Sequence, residues 1–207
     1  MKFCSRCGAA LAARWLEQDS RQRLACTACN VVHFQNPKVL VMALVCWQDR
    51  LLVCRRAEEP ARGCWNVPTG YLESGETLQR GAARETFEET GVVVQADELE
   101  LYSVVNLLQT DQVAVAFRMQ LRRKPVLRPG PECLDAKFMS ETELRDVDIA
   151  WSDKLGDSRE RLFRQIRARR FDIHLTDVAA SAGEIMAARS YRIKAPADDR
   201  RTKRDSA

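Results

Sequence analysis

The stretch Gly70–Val92, GYLESGETLQRGAARETFEETGV, constrains this chain more than any other. Glu85, Glu88 and Glu89 stand at i, i+3 and i+4, so on a helix they share one face. Ala83, Phe87 and Thr90 fall on the opposite side and are expected to pack on a core, and Gly91 is placed to end the helix. Stacked acids repel one another, and Arg84, which can reach Glu88 one turn on, cannot neutralise all three. Taken alone, Glu-x-x-Glu-Glu also fits an exposed acidic face of a kind common on globular proteins. An oxygen-only donor set on one face suits a hard divalent cation, Mg²⁺ or Mn²⁺.

The N-terminus carries a second constraint. Cys4-x-x-Cys7 is followed, eighteen residues later, by Cys26-x-x-Cys29. Each pair can turn two sulfurs toward one point, and two such knuckles complete a tetrahedral structural Zn²⁺ site. Disulfides or a redox pair are the alternatives. A reducing cytosol disfavours the first, and a redox pair needs no duplicate. Four thiolates fill the coordination sphere, so this ion is expected to be structural and His33 an ordinary linker residue. Between the knuckles, Arg14–Asp19 and Gln22–Ala25 can form a short hairpin. Cys46, Cys54, Cys64 and Cys133 show no ligand spacing and read as buried thiols.

The apolar pattern gives the rest of the architecture. Asn36-Pro37 closes the small module, residues 1–36. Lys38–Trp47 and Leu51–Arg55 read as a hairpin around a polar break. Pro60–Pro68 is a loop that delivers the chain to Gly70. Val92–Val94, Leu99–Leu108 and Gln112–Leu121 read as strands, the last with Val113, Val115, Phe117 and Met119 in strict alternation. Lys124–Pro131, with three prolines, is a loop. Asp135–Met139 is a short strand, Glu141–Asp146 a short helix and Gly156–Arg170 a helix with Leu162, Phe163 and Ile166 as its apolar stripe. Phe171–Leu175 is expected as a final edge strand. From about Ala187 the chain is basic and poor in large apolar groups, and residues 187–207 read as a tail without fixed structure. Strands, a helix, strands and a terminal helix make an α/β fold: a mixed sheet with helices on both sides.

The order Gly70, five residues, Glu76, seven residues, Arg84-Glu85, two residues, Glu88-Glu89, one residue, Gly91-Val92 resembles the Nudix box at eight positions. Thr86 stands where that family usually has an aliphatic residue, and a packing adjustment on the helix flank is expected there. With the paired knuckles, HFQNPKVLV and LLVCRRAEEPARGCWNVPTGYLESGE, the chain resembles the zinc-ribbon-bearing branch of Nudix hydrolases over residues 3–175. Pro68-Thr69-Gly70 departs mildly from the usual Pro-Gly-Gly or Pro-Ala-Gly.

The resemblance implies a Nudix α/β/α sandwich over residues 37–186, behind the zinc ribbon. It implies Mg²⁺-dependent hydrolysis of a nucleoside diphosphate linked to another moiety, and most closely resembles enzymes acting on ADP-ribose or FAD. Glu85, Glu88, Glu89 and the Gly70 carbonyl would hold the cation, which neutralises the pyrophosphate and acidifies a bound water. Glu76 and Arg84 would hold the loop–helix–loop in shape. The general base would be a box glutamate or an acid from a later loop, for which Glu132 is the candidate. Arg55 and Arg56 could contact phosphate or base. Zinc-ribbon NADH pyrophosphatases carry Ser-Gln-Pro-Trp-Pro-Phe-Pro after the box. This chain has YSVVNLLQTDQVAV there, which disfavours NADH. Nucleoside triphosphates are a further option.

The net charge of +4 equals the excess in residues 186–207 alone, seven basic against three acidic groups. Such a run is a solvated tail or a weak attractor of polyanions. A nucleic-acid-binding or regulatory Nudix protein is therefore the alternative, against which the intact set of box glutamates argues. The N-terminus has no apolar stretch of the signal-peptide kind, and no run approaches a membrane span. A cytoplasmic location, a nucleotide-type small-molecule substrate, a homodimer and no membrane partner are the expectations.

Overall fold

The computed structural model describes residues 1–150, 158–181 and 184–193, and its contacts divide the chain between Pro37 and Lys38. The N-terminal unit is an antiparallel sheet in the order β1 (Leu11–Leu16), β2 (Arg21–Cys26) and β3 (Val32–His33). β1 and β2 pair from Leu11 with Cys26 to Leu16 with Arg21, so the hairpin is longer than the sequence pattern indicates. Glu17–Asp19 form a 3-10 turn between them, closed by Ser20 in the left-handed region at φ 49°.

The second unit runs β4 (Lys38–Trp47), β5 (Arg50–Arg56), β6 (Trp65–Asn66), β7 (Thr69–Tyr71), α1 (Leu78–Thr90), β8 (Glu100–Leu107), β9 (Gln112–Leu121) and β10 (Cys133–Met139). It continues with α2 (Glu141–Arg145), α3 (Ser158–Ala168), β11 (Ile173–Ser181) and β12 (Glu184–Ile193). The main sheet has the order β10-β5-β4-β9-β8-β11-β12. β4 is parallel to β9 and β11 to β8, while the remaining neighbours are antiparallel, so the sheet is mixed. β4 and β5 pair only beside their turn, at Cys46–Leu51 and Trp47–Arg50. Farther along, β7 takes the edge of β4 and β6 takes that of β5. This brings Gly70 opposite Val41 in the middle of the sheet.

Alternation along the strands builds two cores, one on each face. Val41, Ala43 and Val45 of β4 join Leu52, Val113, Val115, Phe117, Met119 and Phe138 under α1, which contributes Ala82. Leu44 and Cys46 of β4 join Leu51, Val53 and Tyr102 on the other face, under Leu144 of α2 and Leu162, Phe163 and Ile166 of α3. Each fully buried aliphatic or aromatic side chain contributes about 1.5–3 kcal/mol. Helices on both faces of a mixed sheet give the expected α/β/α sandwich.

Three expectations need correction. Val92 and Val94 are buried, yet Val92–Val94 is not a strand; it leads into a 3-10 turn at Ala96–Glu98. Burial here comes from packing under α1, not from sheet pairing. β11 begins at Ile173 and lies between β8 and β12, an interior strand instead of an edge. β12 carries fixed structure beyond Ala187 as far as Ile193, pairing Ala187 with Ala179 and Ile193 with Ile173. The backbone ladder with β11 carries the strand through the basic positions Arg189 and Arg192, which the tail reading weighed more heavily than Tyr191 and Ile193. Residues 194–207 of the expected tail and positions 156–157 of the expected helix lie outside the described residues. Among the described residues, no helix is long and apolar enough to cross a membrane.

Candidate functional site

The helix α1 ends at the expected Gly91, and its start is fixed by Thr77. The Thr77 side chain accepts the Arg80 N–H at 3.3 Å, a cap worth about 1 kcal/mol. Gly91 ends the helix at φ 72°, its N–H donating to the Phe87 carbonyl at 2.7 Å. The face toward the sheet is not the expected one. Ala82, Glu85, Thr86, Glu89 and Thr90 are buried, whereas Phe87 is 55% exposed. Thr86 is fully buried instead of lying on a flank. Its hydroxyl donates to the Ala82 carbonyl at 2.7 Å, and that of Thr90 donates to Thr86 at 2.6 Å. These back-bonds satisfy hydroxyls where an aliphatic residue would need none.

Arg84 ties the acidic stretch together. Its guanidinium donates to Glu76 at 2.8 and 3.2 Å, to Glu85 at 2.7 Å, to Glu88 at 3.0 Å and to the Tyr71 carbonyl at 3.0 Å. Glu76 also accepts the Glu73 N–H at 2.8 Å, closing the loop between β7 and α1. The Arg84 cation holds the Glu76 carboxyl below its ordinary value, and Glu76 in turn raises Arg84.

Two glycines let the backbone come close to these acids. A Cβ on Gly70 would overlap the Glu85 carboxylate, which lies against the β7 backbone. A Cβ on Gly130 would overlap the Glu88 carbonyl. The Arg128 and Gly130 N–H groups donate to the Thr90 and Glu89 carbonyls at 2.8 and 3.2 Å. The otherwise unpaired end of α1 thus clamps the loop that carries Glu132.

The electrostatics are those of an under-neutralised acid cluster. Burial raises Glu85, against the opposing pull of Arg84. Burial also pushes Glu89 up to about 7, although the Cys54 thiol donates to its Oε2 at 3.0 Å and the Thr69 N–H at 3.2 Å. Glu132, exposed on its loop, adds repulsion to both. The donors are all oxygen, two of the acids are buried, and the Gly70 cradle leaves no room for a side chain. These residues fit a hard divalent cation. Arg55 and Arg56 serve the neighbouring loop: their Nε–H groups donate to the Gly63 and Pro60 carbonyls at 2.8 and 3.0 Å.

Sequence reasoning missed three contributors, Cys54, the Thr69 N–H and the Tyr71 carbonyl. Only Cys54 is a side chain, and its apolar strand context gives no sign of a carboxylate neighbour. A cavity of about 490 Å³ is lined by Phe87, Glu88, Gly91, Val93, Val126 and Arg128, beside the exposed end of the acid cluster. A larger one of about 650 Å³, around Lys124, Phe138 and Glu143, contains none of the candidate residues.

In the N-terminal unit the four predicted cysteines meet. Cys7 lies 3.4 Å from Cys26 and 3.6 Å from Cys29, Cys4 lies 3.8 Å from Cys29, and all four sulfurs fall within 4.8 Å of one another. Backbone N–H groups of Arg6, Ala28 and Cys29 point at the Cys4 and Cys26 sulfurs. The Cys29 N–H, joined by that of Ala28, lowers the Cys26 thiol to about 6. Such a set fits a tetrahedral thiolate-bound ion. His33 is not a mere linker, because its Nε2 sits 3.3 Å from Cys4 Sγ. The pairing of Leu24 with His33 in β2–β3 brings it there, and spacing counted along the chain does not reveal this.

Residues 36–161 match the family model described as NUDIX domain, and residues 2–35 match the one described as Nudix N-terminal. The structure is similar to that of a NUDIX hydrolase from Nitrosomonas europaea, with a TM-score of 0.73 at 37% identity. The match covers 86% of this chain and 99% of that one. The NAD-capped RNA hydrolase NudC of Stutzerimonas stutzeri is 35% identical over 91 residues, 44% of this chain and 31% of its own. The ADP-ribose pyrophosphatase of Methanocaldococcus jannaschii is 32% identical over 66 residues, 32% of this chain and 39% of its own. The chain therefore spans less than two fifths of the length of either curated relative. With the domain match covering more than half of its residues, the chain belongs to the Nudix family.

Proposed function

We propose that this protein hydrolyses the pyrophosphate bond of a nucleoside diphosphate linked to another moiety, ADP-ribose or FAD, giving AMP and a phosphorylated product. One observation carries the reading: Glu85 lies against Gly70, Glu89 accepts the N–H of the adjacent Thr69, Glu132 adds repulsion to both, and among the described residues the guanidinium bonded to Glu85 and Glu88, Arg84, is shared with Glu76. In this proposal Glu85, Glu88, Glu89 and the Gly70 carbonyl hold Mg²⁺ or Mn²⁺. The cation supplies the positive charge that a pyrophosphate needs before a nucleophile can approach. Arg84, braced by Glu76, fixes the directions of Glu85 and Glu88 without touching substrate. Glu132 takes the proton of the attacking water, and the bond from phosphorus to the bridging oxygen breaks to release AMP. The cavity beside Glu88, with Phe87 for stacking and Arg128 for charge, receives the nucleotide. The four ribbon cysteines hold a structural Zn²⁺. The protein acts in the cytoplasm as a homodimer on a nucleotide-type small molecule, with no membrane partner and with nucleic acid as a less favoured one.

A second reading is cleavage of NADH or an NAD-capped RNA, favoured by similarity to the S. stutzeri hydrolase and weakened by the YSVVNLLQTDQVAV stretch. A panel of ADP-ribose, FAD, NADH, NAD-capped RNA and nucleoside triphosphates, run with Mg²⁺ and then Mn²⁺, separates them. The expected result is the highest kcat/KM on ADP-ribose or FAD. A preference for NADH or capped RNA moves the assignment to the second reading, and no metal-dependent hydrolysis of any of them overturns both.

A further inference from the structure

Beneath the acid cluster, Glu89 meets two cysteine side chains that the proposed hydrolysis does not use. Cys54 Sγ, Cys133 Sγ and a Glu89 carboxylate oxygen lie within 4.8 Å of one another, and all three residues are buried. Cys54 donates to Glu89 Oε2 at 3.0 Å. A cysteine used only as a small apolar filler has no reason to face an ionisable carboxylate in the interior.

The backbone is shaped to make this group. β5 and β10 pair Arg56 with Cys133, Arg55 with Asp135 and Cys54 with Ala136, leaving Leu134 as an extra residue in a bulge. Cys133 and Ala136 are three apart, so in a regular strand they would point to opposite faces. The bulge absorbs one residue, and both Cys133 and Ala136 are buried while Leu134 is half exposed. Cys133 is thereby turned in beside Cys54, under Glu89.

Two sulfurs and one carboxylate oxygen make a donor set of different character from the oxygen-only set above. Hard Mg²⁺ prefers the oxygens, while Zn²⁺ takes thiolate and carboxylate together, with three protein ligands and one open position. We propose that Cys54, Cys133 and Glu89 form a second metal site, specific for Zn²⁺, and that an ion bound there withdraws Glu89 from the Mg²⁺ set and inhibits the enzyme. As each sulfur takes the ion its thiol proton passes to solvent, the ion's charge driving the loss. The inhibitory half rests on the reading of Glu89 as a ligand of the catalytic cation; the binding half does not.

The test uses the full chain with Mg²⁺ in excess. Equilibrium dialysis against buffered Zn²⁺ compares wild type with Cys133→Ser and Cys54→Ala. One zinc fewer per chain is expected in each variant, the ribbon zinc being common to all three. Each protein is also assayed for inhibition by Zn²⁺, relative to its own uninhibited rate. The inhibiting concentration is expected to rise by about tenfold or more in the variants. Equal zinc content in all three overturns the proposal, as does an unchanged inhibiting concentration. Should a variant fold poorly, zinc-edge anomalous diffraction from zinc-soaked wild-type crystals decides. A peak among Cys54, Cys133 and Glu89 supports the site, and its absence removes it. A protein that binds this zinc but hydrolyses nothing keeps the site and refutes the enzymatic reading instead.

Discussion

The thiol cluster of the N-terminal unit and the acid cluster on α1 are both candidate metal centres, and they are assembled in opposite ways. The four sulfurs come from two short knuckles, and the N–H groups of Arg6, Ala28 and Cys29 that orient them lie within three residues of Cys4 or Cys26. Each knuckle is a local turn, and the single hairpin β1–β2, which pairs Leu11 with Cys26, brings the two knuckles together. The carboxylates depend on distant chain. Glu85 needs Gly70 of β7, Glu89 needs Cys54 of β5 and Thr69, and the loop bearing Glu132 is clamped by the carbonyls of Glu89 and Thr90. A locally built centre is lost when a ligand is lost. A centre assembled across the fold can also be lost by a packing fault that leaves every ligand in place.

The largest effect on hydrolysis is expected from Glu89→Gln. If Glu89 holds the catalytic cation, kcat falls by orders of magnitude. The metal-free protein should be no less stable, because the change removes a buried, repelled charge whose pKa burial has already pushed up to about 7. Full activity in this variant, read in the same Mg²⁺ assay, would return Glu85, Glu88 and Glu89 to the role of an acidic helix face.

Gly70→Ala comes next and probes assembly directly. No ligand changes, yet the added methyl meets the Glu85 carboxylate. Overpacking of this kind costs about 1–3 kcal/mol, and displacement of Glu85 should lower kcat by about tenfold or more, roughly 1.4 kcal/mol of barrier. Thermal melts and initial rates measure the two parts. A variant with wild-type rates would mean that the carboxylate has another place to go and that the centre is less dependent on packing than the geometry indicates.

Smaller again is Phe87→Ala. Phe87 was expected in the core but stands 55% exposed beside Glu88. Stability should change by no more than about 0.5 kcal/mol. KM should rise severalfold with kcat nearly unchanged, because the ring borders the cavity assigned to the nucleotide and does not touch the reacting phosphorus. A fall in kcat at constant KM would instead make Phe87 a support for the acid cluster.

The same contrast explains what the sequence made legible. Spacing rules encode local geometry, so the knuckles, the helical nature of the acidic stretch, its Gly91 stop and the strand Gln112–Leu121 could all be read directly. The inward face of α1 could not, because it is set by which residues meet β4 and β7, and those contacts bury Glu85 and Glu89 in place of Phe87. Cys54 and Cys133 gave no spacing signal, since it takes strand pairing and a bulge at Leu134 to unite them. The strand Glu184–Ile193 was missed for a related reason: its pairing partner β11 is not evident along the chain, and the basic residues that follow drew the tail boundary too early.

The smallest effect on hydrolysis is expected where the local change is most complete, in Cys26→Ser. Cys26 is buried, contacts Cys7 and receives the Ala28 and Cys29 N–H groups. Serine removes a ligand from a site whose binding energy is folding energy, so zinc should be lost and the β1–β2–β3 sheet should open. Metal analysis and amide exchange over residues 1–37 read both. The second unit has its own cores on the two faces of the nine-stranded sheet. Its melting temperature and its kcat should therefore stay close to wild type, within about twofold for the rate, a barrier change well under 1 kcal/mol. An intact ribbon in this variant would show that three thiols suffice, with His33, 3.3 Å from Cys4 Sγ, as the available fourth donor. Loss of hydrolysis together with the ribbon would show that the acid cluster depends on the N-terminal unit, and the division into a locally built centre and an independently assembled one would fail.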